Sequence, residues 1–264
     1  MRAAALALAA LIAVPASAQD PVRLYAAGSL RAALTEVGQA FQQRTGVAVA
    51  GTFGPSGLLR KRIAEGEPAE VFGSANMAHP EALAKAGKAE PVRLFARNRL
   101  CALTAPGLAV TTDTLLERML DPAVKLGTST PKADPSGDYA FQLFDKADAL
   151  RPGTGKTLSA KALQLTGGPN SPPPPKDRSV YGMHVARGDA DILLTYCTNA
   201  LAAKNENAAL GIVQVPASLA VGADYGLTVM KGARSAARDL AHFVLSKPGQ
   251  EILARHGFAT VGIP

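Results

Sequence analysis

Three times this chain runs an apolar, strand-like segment into a turn rich in small residues and follows it with apolar residues at helical spacing. Val22-Arg23-Leu24-Tyr25-Ala26-Ala27 leads into Gly28-Ser29-Leu30. The design returns at Thr52-Phe53-Gly54-Pro55-Ser56-Gly57, and again at Thr128-Ser129-Thr130 followed by Asp134-Pro135-Ser136-Gly137. A serine at a helix start places a hydroxyl beside backbone N–H groups that have no intrahelical acceptor. Several such starts converging on one cleft make a cage of neutral donors for an anion. The pattern suits capture of a ligand rather than bond-breaking.

The flanking periodicity gives the fold class. Leu30, Ala33, Leu34, Val37, Ala40 and Phe41 fall at helical spacing before Gly46. A strand is expected over residues 47–53, a helix carrying Leu58, Leu59 and Ile63, a short buried strand over 70–73, and a helix over 80–86. This alternation implies an α/β protein, with a mostly parallel sheet flanked by helices. Residues 92–104 form one long extended stretch, the expected crossing to a second lobe. There, helices are expected over 112–120, 136–149, 158–165, 179–187 and 198–204, with strands over 125–129, 191–197 and 212–215. The strand expected over 225–230 returns to the first lobe, and helices over 235–246 and 249–256 close the chain. The expected division is residues 19–97 with 231–264 as lobe 1, and 98–230 as lobe 2. Two crossings make a hinge, with the ligand cleft between the lobes.

The beginning of the chain sets its compartment. Met1-Arg2, a small apolar run over residues 3–14 and Pro15-Ala16-Ser17-Ala18 read as a secretory signal peptide cleaved after Ala18. The run is shorter than the roughly 20 residues of a spanning helix. The expected address is the periplasm, without stable membrane insertion, as a monomer. The net charge is +7, and removal of residues 1–18 takes away one arginine. The basic residues are scattered and aromatics do not interleave with them, which argues against nucleic acid as a partner. Cys101 and Cys197 lie in apolar runs, and either form a disulfide or stand as two buried thiols. His79, His184, His242 and His256 show no zinc-ligand spacing, and no cofactor is expected.

Signals for an enzyme are poor. Gly54-Pro55-Ser56-Gly57 lacks the glycine spacing of a nucleophile elbow. Gly153-Thr154-Gly155-Lys156-Thr157 ends like a phosphate-binding loop, but lacks its first glycine and a leading strand, and reads as a surface turn. No paired acids suggest general acid–base chemistry, so no catalytic residue is assigned. Tyr196 ends an apolar run, where it either joins the core or turns its hydroxyl to the cleft. Residues 166–171 and Pro172-Pro173-Pro174-Pro175 form a stiff loop, expected at the cleft edge.

Tyr25-Ala26-Ala27-Gly28-Ser29-Leu30, Phe53-Gly54-Pro55-Ser56-Gly57-Leu58 and the stretch over residues 64–75 resemble the periplasmic molybdate-binding proteins of ABC importers. So do Asp134-Pro135-Ser136-Gly137-Asp138-Tyr139-Ala140, Arg187-Gly188-Asp189-Ala190-Asp191 through Tyr196, and Arg255-His256-Gly257-Phe258. The resemblance covers essentially the whole mature chain. It implies a two-lobed periplasmic-binding fold of type II that holds molybdate, or tungstate, by serine hydroxyls, backbone N–H groups and a tyrosine hydroxyl. By position it implies Ser29 and Ser56 as hydroxyl donors, Ser136 as a backbone donor and Tyr196 as the tyrosine. A further backbone donor falls near Arg178, where the family carries a small apolar residue. Arg178 either faces solvent or enters the cleft as a cationic fork suited to oxyanions. The implied partner is an ABC permease. The alternatives are a receptor for a sulfate-like, phosphate-like or organic anion with Arg178 in the site, and a secreted hydrolase.

Overall fold

The computed structural model describes residues 20–175 and 178–261. The expected signal peptide, residues 1–18, lies outside the described residues. Strand β1 (Val22–Ala27) is buried at four consecutive positions at its end, as expected of a strand covered on both faces. After a single 3-10 turn over Gly28–Leu30, helix α1 (Arg31–Thr45) buries Ala33, Leu34, Val37 and Phe41 along one stripe. Strand β2 (Val49–Gly54), helix α2 (Ser56–Ala64), strand β3 (Val71–Ser74) and helix α3 (Ala78–Lys85) complete the first run. Strands β2 and β3 both pair with β1 in parallel, so the strand carboxyl ends share one edge.

Strand β4 (Arg93–Thr104) is the long crossing. Its first half pairs antiparallel with strand β9 (Gly222–Val229), which also pairs with β3. Its second half pairs antiparallel with strand β7 (Ile192–Tyr196) and strand β8 (Gly211–Gln214). Helix α4 (Leu115–Leu120), strand β5 (Leu126–Ser129), helix α5 (Pro135–Leu150), helix α6 (Thr154–Lys161), strand β6 (Leu163–Thr166), helix α7 (Val180–Ala186) and helix α8 (Cys197–Glu206) build the second run. Strands β6 and β7 flank β5 in parallel. Helices α9 (Ser235–Leu245) and α10 (Lys247–Arg255), then strand β10 (Ala259–Thr260), return to the first run. The main path is β2-β1-β3-β9-β4-β7-β5-β6. Each half is therefore parallel at its outer strands and antiparallel at the shared centre.

Two expectations are corrected. Residues 158–165 are not one helix: α6 stops at Lys161, and Leu163–Thr166 pairs with β5. Leu163 and Leu165 alternate with Gln164 and Thr166, and this period of two prevails over the shorter apolar run. Residues 153–157 are not a surface turn but the start of α6. They follow helix α5 rather than a strand, which removes the geometry of a phosphate-binding loop. The cysteines form a disulfide, with Cα atoms 4.8 Å apart, that joins β4 to the first residue of α8. Among the described residues no helix is long and apolar enough to cross a membrane.

Helices α1 and α9 meet through Phe41 and Phe243, whose ring centres are 5.8 Å apart. Fully buried Phe72 and Phe95 sit on the first-run side of the sheet path, and Phe144 on α5 fills the second. Truncating any of these to alanine typically costs about 3–5 kcal/mol.

Candidate anion-binding cleft

The carboxyl ends of β1, β2 and β3 face those of β5, β6 and β7 across a cleft of about 860 Å³. Ser29, Ser56, Arg178 and Tyr196 all line it. Neither Ser29 nor Ser56 caps its own helix. The Ser29 Oγ lies 3.0 Å from the Tyr225 hydroxyl of β9. The Ser56 Oγ accepts the Ala75 N–H at 3.1 Å, which leaves the hydroxyl proton of this buried serine to donate elsewhere. Tyr196, 1% exposed, donates its hydroxyl to the Ala75 carbonyl at 3.4 Å. Ala75, just past the end of β3, thus ties the Ser56 and Tyr196 side chains to the backbone of one residue.

A direct backbone contact closes one side of the cleft. The Gly57 N–H donates to the Ala133 carbonyl at 3.0 Å. A Cβ on Gly57 would stand 2.5 Å from the Lys132 carbonyl oxygen, so a glycine is required for the start of α2 to approach the 130–134 segment. At the centre, Asn98 on β4 donates to the Thr198 hydroxyl at 2.8 Å and to the Tyr225 hydroxyl at 3.4 Å. The rings of Tyr196 and Tyr225 meet edge-to-face at 5.6 Å. Burial drives the phenol pKa values of both well above their ordinary value, so both hydroxyls stay protonated donors.

The helix start at α5 differs from the expectation. Its cap is Asp134, whose Oδ1 accepts the Ser136 N–H at 3.0 Å. The Ser136 backbone donor is thus held by the cap carboxylate, and its buried hydroxyl has no hydrogen-bond partner among the described residues. Asp134 lines the cleft at this end, and Ser136 does not. Loss of water pushes the Asp134 carboxyl up to about 6, against the Ser136 N–H that favours its charged form. Asp138 adds to the rise and the Ser129 hydroxyl opposes it.

Arg178 is exposed at the cleft edge, beside the proline loop. The structure adds Arg31 to the lining. Its guanidinium lies 5.1 Å from the centre of the Phe53 ring. Among the described residues, no three His, Cys, Asp or Glu side chains converge as ligands for a metal ion.

Asp134, Tyr225, Asn98 and Arg31 were not among the residues expected at the site. Asp134 had a local signal, an Asp followed by Pro at the first helical position. Tyr225 and Asn98 had none, because both reach the site only through the pairing of β4 with β9.

Hydroxyl and N–H donors at strand carboxyl ends, on two sides of a cleft spanned by shared central strands, define a solute receptor of the two-lobed periplasmic-binding type. The chain belongs to the bacterial extracellular solute-binding proteins, whose family profile matches residues 22–259. It is 34% identical over 238 residues to an uncharacterized protein of Pasteurella multocida, covering 90% of this chain and 98% of that one. It is 32% identical over 178 residues to the molybdate-binding protein ModA of Rhodobacter capsulatus, covering 64% of this chain and 69% of that one. Among solved structures, the sulfate-binding protein SubI of Mycobacterium tuberculosis matches with a TM-score of 0.75 at 19% identity. That match covers 92% of this chain and 88% of that one, and it is a likeness of fold. The resemblance to molybdate-binding proteins, first read from short motifs, extends along most of the sequence.

Proposed function

We propose that the protein captures a tetrahedral oxyanion, molybdate and by the same geometry tungstate, and delivers it to the permease of an ABC importer. Residues 1–18 direct it to the periplasm and are removed there. Residues 19–97 with 231–264, and 98–230, act as the two lobes. Strand β4 makes the first crossing, and β9, paired with β3, makes the return. The observation that carries this reading is the convergence of the Ser29, Ser56 and Tyr196 hydroxyls on one cleft at the strand carboxyl ends. Ser136 belongs to the proposed set through its place at the start of α5, where its backbone N–H holds the Asp134 carboxylate that lines the cleft, and Arg178 through its place at the cleft edge.

The physical case is one of replaced hydration. A dianion that leaves water must recover its hydrogen bonds from the wall. Each charge-assisted bond contributes on the order of 1.5–3 kcal/mol net. Four or five such contacts, less the cost of closure, reach about −8 to −12 kcal/mol, or micromolar to nanomolar binding. The donors serve capture, and no nucleophile–base pair is assigned among them. The test is calorimetry of the processed protein with molybdate, tungstate, sulfate and phosphate. Micromolar or tighter binding of molybdate or tungstate is expected. No binding of either by a protein with intact circular dichroism overturns the reading.

A second reading rests on the size of the cleft. About 860 Å³ lies within the range that holds drug-sized ligands, and Arg31 and Arg178 both line it. An organic anion would use that space. Selection by Arg178 is checked with Arg178→Ala against an anion panel, where an unchanged order of preference removes Arg178 from the selection.

A further inference from the structure

Asp134 and Glu206 are the two carboxylates among the residues that line the cleft; both oxygens of Glu206 are taken up by the Ser179 N–H, at 2.9 and 2.8 Å. The Asp134 Oδ1 is occupied by the Ser136 N–H. The Ser129 hydroxyl lies close enough to favour its charge, but among the described residues no Lys, Arg or His side chain is paired with it. The backbone of the 166–171 loop covers it. A Cβ on Gly167, whose φ is +80°, would stand 2.6 Å from Oδ2, so this approach requires a glycine. The Ser136 N–H and the Ser129 hydroxyl favour the charge of Asp134, but burial and the ionisable groups facing it do not. Asp138 on α5 repels it, and its own charge adds to the rise that burial imposes on the phenols of Tyr181 on α7 and Tyr196 at the end of β7. A dianion placed between Ser56, Tyr196 and the start of α5 adds two further negative charges to the same space.

We infer that Asp134 determines which anions the cleft accepts, because its contact with the ligand holds one proton, brought either by the ligand's own O–H or from solvent onto the carboxyl. The inference rests on the reading of this cleft as an oxyanion site. An anion with no proton, such as molybdate, then binds together with one proton taken up by Asp134, whose carboxyl becomes a donor. An anion with its own O–H donates to the charged carboxylate and takes up none. The rise of the Asp134 carboxyl to about 6 puts the exchange within reach of ordinary pH.

The experiment uses molybdate as the probe, with the processed protein and its Asp134→Asn variant, titrated calorimetrically from pH 6 to 8.5. Asparagine keeps the side-chain shape and is a good helix cap, and circular dichroism checks the fold. In the wild type, affinity should fall toward tenfold per pH unit above pH 6. Buffers of different ionisation enthalpy should report uptake of about one proton at pH 7.5. In the variant, affinity should change less than threefold over the range, with no proton uptake. Binding by the variant but not by the wild type would also support the inference, since the carboxylate then excludes anions without a proton. A flat wild-type profile, or the same slope in both proteins, overturns the inference and leaves the oxyanion reading standing. Failure of both proteins to bind molybdate or tungstate at any pH overturns the reading and the inference together.

Discussion

The hydroxyl of Ser29, in the turn after β1, and the hydroxyl of Tyr225, in the middle of β9, lie 3.0 Å apart across 196 residues of sequence. Tyr225 is fully buried, and Asn98 also donates to its hydroxyl. A donor aimed at an anion is useful only if its orientation is fixed before the ligand arrives. Tyr225 supplies that orientation from the strand connecting the two halves. Tyr225→Phe is expected to cost about 0.5–1.5 kcal/mol of stability, the value of a typical hydrogen bond, and to weaken anion binding less than tenfold. Ser29→Ala should weaken it by tenfold or more. Denaturant unfolding and calorimetry on the two variants check the order. Equal or greater loss of binding in Tyr225→Phe would make Tyr225, not Ser29, the ligand contact.

This relationship also shows what a sequence reader can and cannot see. The strand–turn–helix units around Ser29 and Ser56 were legible because apolar periodicity and turn residues act locally. Strands β1, β2 and β3 followed from them, as did the long crossing at β4. Strand β6 was missed because a four-residue strand after a helix offers too few periods to separate from one more helical turn. Asp134 and Ser136 both offer a cap at this helix start, and the acid before a proline is the stronger signal of the two. The alignment of Asn98 and Tyr225 on the site is set by antiparallel register between segments more than 120 residues apart, and no local pattern encodes that.

Ser56 serves two partners. Its oxygen accepts the Ala75 N–H, and its proton is the one proposed to reach the anion. Ser56→Ala strands a buried N–H, which costs about 1–3 kcal/mol of stability. It also removes a charge-assisted donor, for an expected loss of roughly ten- to hundredfold in affinity. Calorimetry with molybdate reads the second effect and urea unfolding the first. Undiminished affinity in a folded variant would place the anion away from α2.

The disulfide between Cys101 and Cys197 closes a loop with a sequence separation of 96 and fastens β4 to the residue after Tyr196. In the chain-entropy account, a loop of that length gives about 4–5 kcal/mol, with smaller values common in practice. A double Cys→Ser variant, or the reduced protein, is expected to melt on the order of 10 °C lower, taking roughly 2–4 °C per kcal/mol at this chain length. Scanning calorimetry with and without reductant checks the shift. An unchanged melting temperature would show that core packing around Cys101 suffices without the bond.

Glu70 is a buried acid that ties the start of β1 to the residue before α9. Both its oxygens accept from the Arg234 guanidinium, at 2.7 and 2.8 Å, and one also accepts the Arg23 N–H at 3.0 Å. Arg234 in turn donates to the carbonyls of Asp20 and Pro21, at 2.9 Å each. Hydrogen bonds from Arg234, first among the causes, hold the Glu70 carboxyl down at about 2 from an ordinary 4.5. Because the folded value is depressed, the stabilisation is fully present above about pH 4.5. It is lost as pH falls from there through 2. A shift of that size corresponds to about 3 kcal/mol. Glu70→Gln should therefore lose about 2–4 kcal/mol at pH 7, and the gap to the wild type should narrow steadily between pH 5 and 2.5. Urea unfolding of both proteins at several pH values gives the difference, in which the other carboxylates cancel. A gap that stays constant with pH would show that Glu70 acts through its shape and not through its charge.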